Sequence, residues 1–90
     1  MKFEYDPNKS ASNKIKHGID FEEAQALWQD EVAIRAEAGS ETEPRYMLIG
    51  RIGNVFWTAI ATDRGEVVRI ISVRRSREKE VMHYGKINFC

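Results

Sequence analysis

Ninety residues, 42% of them apolar and 10% aromatic, suit one folded domain with a modest core and exclude a disordered chain. One cysteine, Cys90, excludes an internal disulfide and a cysteine-based zinc site, and no apolar run approaches the roughly eighteen residues of a membrane span. The formal charge of zero hides an asymmetry, since residues 1–45 hold six Lys/Arg against ten Asp/Glu and residues 46–90 hold eight against four.

In chain order, "KFEY" alternates apolar and polar side chains and predicts a short strand over residues 2–5, ended by Asp6-Pro7. "NKSASNKIKH", residues 8–17, has few strand formers and runs into Gly18, which predicts a helix with a glycine C-cap and with Lys9, Lys14, Lys16 and His17 on its surface. Asp20 then stands as N-cap of a second helix, "FEEAQALWQ", whose core face is Phe21, Ala24, Leu27 and Trp28. Glu22 and Glu23 occupy its first turn, where the helix dipole favours them. The N-terminal stretch "MKFEYDPNK" is unlike a signal peptide, so the expected location is the cytoplasm.

Residues 31–36 predict a short strand, and the acidic "AGSETEP", residues 38–44, predicts a loop. Three strands follow at 45–52, 55–62 and 66–74, joined at Gly53-Asn54 and at Asp63-Arg64-Gly65 by connections short enough for hairpins. From Ser76, a candidate N-cap, "SREKEVMHY" turns helical. The order β-α-α-β-β-β-β-α predicts a single α+β domain over residues 1–90, with an antiparallel sheet of four to five strands, two N-terminal helices packed on it and a C-terminal helix.

Four groups could carry chemistry. Arg69 lies among the β-branched residues of "VVRIISVRR", on the face of Val67, Ile71 and Val73 if the strand is regular. Arg74 and Arg75, with Arg77 close behind, stand at a strand-to-helix junction that could aim two guanidinium forks at one anion; the ordinary alternative is a solvated strand end. His17, between Lys16 and Gly18, could transfer a proton near neutral pH or simply cap its helix, whereas His83 reads as an inert surface histidine. Glu80 and Tyr84 share a helix face, where Tyr84 either anchors the helix to the sheet or meets phosphate or base. Phe56 and Trp57 are adjacent on a strand and so point to opposite faces, both reading as packing unless Trp57 faces solvent. No metal-ligand spacing and no glycine-rich phosphate loop occurs, so any hydrolysis has to run on side chains alone.

Two separated blocks, "FEYDPNKSASNKIKHGIDFEEA" at 3–24 and "RIISVRRSREKEVMHY" at 69–84, resemble the BrnT family of bacterial toxins. The matching positions are Tyr5-Asp6, Lys9, Asn13, Lys16-His17-Gly18, Phe21 to Ala24, Arg69 to Ser72, Arg74-Arg75, Glu80 and Tyr84. Val81 and Met82 depart from it, standing where the family is often arginine-rich. The resemblance implies a RelE-like fold and a ribonuclease toxin of a type II toxin–antitoxin pair, held inactive by a BrnA-like antitoxin that alone touches operator DNA. It needs no cofactor. The chemistry of the residues fits that role: the expected catalytic set is His17, Arg74, Arg75 and Tyr84, with Lys14, Lys16, Arg69 and Arg77 binding RNA, and with proton transfer open between His17 and Tyr84. The rival expectation is a co-repressor subunit with weak or lost nuclease activity.

Overall fold

The structure, a computed structural model, describes residues 1–39 and 42–89. Cys90 and residues 40–41 of the expected acidic loop therefore lie outside the described residues. Strand β1 (Lys2–Glu4) leads into helix α1 (Pro7–His17) and a 3₁₀ helix (Glu23–Gln29). Then come β2 (Ile34–Glu37), β3 (Tyr46–Ile52), β4 (Val55–Arg64), β5 (Val67–Arg75) and helix α2 (Glu78–Phe89). The strands form one sheet in the order β1-β5-β4-β3-β2. The predicted α+β class and the β2-to-β5 antiparallel meander are present, but β1 adds to the β5 edge in parallel, Lys2 to Glu4 beside Val67 to Arg69. From β1 the chain crosses through the helices to β2 at the far edge and meanders back, so that β5 arrives beside β1 in the same direction; the wholly antiparallel sheet expected from sequence is corrected to a mixed one.

The second predicted helix forms as 3₁₀ rather than α. Its buried residues Ala24 and Leu27, with Phe21 in the turn just before it, recur every three residues, the repeat that a 3₁₀ turn stacks on one edge. Asp20 still caps it: the Glu23 N–H donates to Asp20 Oδ1 at 2.7 Å and the Asp20 N–H donates to Glu23 Oε1 at 3.0 Å. With Ile19, these residues cover one sheet face, packing on Tyr46, Leu48, Ala59, Ala61, Val68, Ile70 and Val73. Gly50 belongs to this contact, because a Cβ there would stand 3.0 Å from Leu27 Cδ2. Helix α2 crosses the opposite face, where Tyr84 meets Phe56 edge-on at 5.1 Å and Thr58 bonds Glu80.

Helix α1 docks without an apolar face. Its one large apolar residue, Ile15, is 89% exposed, and its buried residues are Ser10 and Asn13. Ser10 Oγ accepts the Phe21 N–H at 2.9 Å. Asn13 does more: Nδ2 donates to the carbonyls of Ile19 (2.8 Å) and Val73 (2.9 Å), and Oδ1 accepts the Val73 N–H at 3.3 Å. Because β1 ends opposite Arg69, the β5 edge beyond it has no strand neighbour. The Asn13 amide supplies at Val73 the donor and acceptor that a strand would have offered.

Between Ile60 and Ala61 the β4–β5 register shifts: Ile60 pairs with Ser72 and Ala61 with Ile70, leaving Ile71 as the extra residue of a bulge. The bulge reverses the alternation, so Val73 joins Val68 and Ile70 in the core. The expectation that Arg69 shares a face with Val73 is thereby corrected.

Candidate functional site

The bulge sets the directions of the two junction arginines. Both belong to β5, Arg74 opposite Thr58 and Arg75 opposite Trp57, so their side chains leave on opposite faces of the sheet. They do not converge on one anion as the sequence suggested, because the strand runs through both residues before it ends.

Arg74 turns towards α2 and is neutralised there. Its NH1 and NH2 donate to Glu80 Oε1 and Oε2, both at 2.8 Å, a bidentate pair of low exposure. Glu80 Oε1 also accepts the Arg77 N–H at 2.8 Å and the Thr58 hydroxyl at 3.0 Å. Held chiefly by the Arg74 guanidinium, the Glu80 carboxyl is pulled down to about 2. Through the Arg77 N–H bond Glu80, third residue of α2, closes the start of the helix from inside; Ser76, expected as the N-cap, instead places its hydroxyl 2.8 Å from Thr58 Oγ1. The signal for it was present in the sequence as a glutamate three residues after Arg77, whereas its pairing across the junction with Arg74 had no local signature.

Arg75 turns to the other face and is exposed, its guanidinium carbon 5.6 Å from the centre of the half-buried Trp57 ring. On that face the C-terminal end of α1 comes close. Asn13, one turn before His17, is bonded to Val73, two residues before Arg75, and to Ile19 just beyond Gly18. Gly18, at φ +84°, closes α1 through its N–H to the Lys14 carbonyl at 2.9 Å, a left-handed turn that favours glycine. The turn leaves Lys16 and His17 exposed at the helix end. Arg75, Lys16, His17 and Arg77 make no ion pair among the described residues.

The remaining predicted residues are committed elsewhere. Lys14 Nζ is 2.7 Å from Glu23 Oε1, and that bond raises the lysine and lowers the glutamate. Arg69 NH1 is 2.9 Å from Glu4 Oε2. Tyr84 is 1% exposed and its hydroxyl donates to Asp30 Oδ2 at 2.8 Å; burial, with that bond, raises the phenol above its ordinary value. Asp30 was not singled out in the sequence. It accepts the Arg51 N–H at 2.9 Å with the same oxygen, where β2 no longer accompanies β3, and so ties the two faces of the sheet together. Tyr84 thus takes the anchoring role weighed for it.

The predicted site residues that stay exposed and outside any ion pair among the described residues are thus Lys16 and His17 at the end of α1, and Arg75 and Arg77 at and just after the end of β5; cations and an imidazole are groups that can hold a phosphodiester and move a proton. Among the described residues no cluster of three or more His, Cys, Asp or Glu is placed to hold a metal ion, and no helix is long and apolar enough to cross a membrane. Residues 5–80 match the model of a family described as the ribonuclease toxin BrnT of type II toxin–antitoxin systems. No curated protein matches the chain at a significant level.

Proposed function

Because the chain belongs to the BrnT ribonuclease toxins of type II toxin–antitoxin systems, we propose that it cleaves RNA without a metal ion at the corner formed by Arg75, Lys16, His17 and Arg77. The observation that carries this reading is the contrast between neighbours: Arg74 is saturated by Glu80, while Arg75 is exposed and makes no ion pair among the described residues. Arg75 and Lys16 meet the charge on the phosphate, and Arg77 steers the adjacent backbone. His17 removes the proton of the ribose 2′-hydroxyl, whose oxygen forms a bond to phosphorus as the bond to the 5′-oxygen breaks. Water, or the protonated imidazole, returns a proton to that leaving oxygen. Arg74 then acts as a positioning residue, fixing with Glu80 the start of α2 and the end of β5. Tyr84 is a packing residue.

The sheet with α1 and the 3₁₀ helix on one face and α2 on the other is read as a RelE-like arrangement. Cleavage of messenger RNA, and so arrest of translation, is the activity that the family membership favours. The antitoxin is read as BrnA-like, covering Arg75 and carrying the operator-DNA contacts itself.

The test is cleavage of RNA by the purified protein in excess chelator, with analysis of the product ends. The expected products carry 2′,3′-cyclic phosphate and 5′-hydroxyl termini. Cleavage seen only with added divalent metal contradicts the mechanism, and intact RNA alongside tight antitoxin binding favours the co-repressor reading. His17→Ala is expected to slow cleavage by about 10²–10⁴-fold while RNA affinity holds. An active but destabilised His17→Ala protein would return the residue to a capping role.

A further inference from the structure

Trp57 has a role that phosphate binding and helix packing leave unfilled. Its ring packs against the core cluster by one side yet remains half-buried, and Arg75 stands over it. On the β3 side its register partner is Gly50, over which Leu27 and Ala33 pack, so that side of the indole faces the core. On the β5 side its partner is Arg75, the cation assigned above to the phosphate.

The spacing between Arg75 and Trp57 is informative. Elsewhere in the molecule Arg35 stacks on Tyr46 with its guanidinium carbon 3.6 Å from the ring centre, a closed contact further held by the Arg35 pair with Asp63. The Arg75 guanidinium carbon lies 5.6 Å from the centre of the Trp57 ring, too far for a closed stack, and no carboxylate among the described residues pairs with it. Stacked bases are about 3.4 Å apart, so a base between two flat groups needs about 7 Å from one to the other. An exposed arginine reaches that separation by a rotamer adjustment of about 1–2 Å.

We propose that Trp57 and Arg75 form a cradle for one unpaired base of single-stranded RNA, the indole below and the guanidinium above, next to the phosphate that Arg75 contacts. This rests on the RNA-cleaving reading of the same corner and adds its substrate class, RNA with an unstacked base, and the residue that selects it. A duplex keeps its bases stacked inside the helix and cannot fill the cradle. Stacking on an aromatic side chain tolerates any base, so Trp57 selects for single-strandedness rather than for sequence.

Binding of uncleavable probes separates this inference from the reading beneath it. The probes are a 2′-O-methyl oligouridine, a 2′-O-methyl oligoadenosine and a 2′-O-methyl abasic ribose-phosphate oligomer of the same length and charge. Affinity is read for every variant by the anisotropy of an end-labelled probe, and quenching is read in a Trp28→Phe background so that Trp57 alone reports. Both base-bearing oligomers are expected to quench Trp57 and to bind roughly ten-fold more tightly than the abasic one. Trp57→Leu is expected to erase that difference, and Trp57→Phe to restore most of it, which a purely packing role would not do. Equal binding of abasic and base-bearing oligomers by the otherwise native protein overturns the cradle, whether or not the Leu variant folds. Arg75→Ala weakening all three probes upholds the phosphate reading even then. Arg75→Ala binding all three as the native residue does defeats both.

Discussion

Asn13 shows how a single amide can substitute for a strand. It satisfies the N–H and C=O of Val73 where β1 has ended, and through Ile19 it holds the turn after His17. Asn13→Ala leaves those buried groups unpaired and is expected to cost about 2–4 kcal/mol by denaturant titration, with cleavage falling as the His17 turn loosens. Nothing in "NKSASNKIKH" marks this role from composition; the position stood out only because it belongs to the family pattern. The arginine pair divides in the same way. Arg74→Ala strips Glu80 of its cation and is expected to cost about 1–3 kcal/mol, lowering the thermal midpoint by several degrees. Arg75→Ala touches no carboxylate and is expected to change stability by less than about 0.5 kcal/mol. Equal midpoints for the two variants would contradict the division. The sequence identified both arginines as a cationic pair but not their opposite directions, because the Ile71 bulge that sets the phase of β5 arises from pairing with β4.

At the scale of elements, strands were the most legible part. Alternation and glycine turns placed β3, β4 and β5 to within a residue or two of their observed bounds. The 3₁₀ helix was legible as a helix but not as 3₁₀, since Phe21, Ala24, Leu27 and Trp28 satisfy both a three-residue and a 3.6-residue repeat; only packing against Gly50 and the sheet selects between them. Helix α2 owes its start to Glu80, and this gives the molecule an acid-sensitive joint. In the unfolded chain Glu80 titrates near 4.5, and in the fold it is held down to about 2. Its folded form therefore binds protons less readily, so its contribution is complete above about pH 5.5, declines as pH falls through 4.5 and is gone below about 2. The amount is on the order of 3 kcal/mol. Glu80→Gln is expected to be less stable at pH 7 and to show a flatter acid limb between pH 5.5 and 2; an acid limb as steep as that of the native chain would show that other carboxylates govern it.

Across the whole molecule, the acidic and basic halves of the sequence partly cancel on folding. Glu4 pairs with Arg69 and approaches Arg64, and Glu43 reaches Arg64, so carboxylates of the first half neutralise arginines of the second. Among the described residues Lys16, Arg75 and Arg77 are left without an ion pair, as are Lys2, Lys9, Arg51, Lys79 and Lys86. The charge asymmetry was legible in the sequence, but the cations left over could be identified only once the sheet had brought Glu4 beside Arg69 and α2 had brought Glu80 to Arg74. An antitoxin that silences this corner is expected to bury more than about 1,000 Å² and to protect Arg75 from modification by arginine-directed reagents. An Arg75 as reactive in the complex as in the free protein would place the antitoxin elsewhere.

The most direct test of the central claim is the rate of RNA cleavage by purified Arg75→Ala beside Arg74→Ala, in chelator and at a temperature where both remain folded. The expected result is a loss of at least about a hundred-fold for Arg75→Ala with its midpoint unchanged, against a much smaller loss for Arg74→Ala despite its lowered midpoint. Cleavage by Arg75→Ala at the native rate would contradict the account.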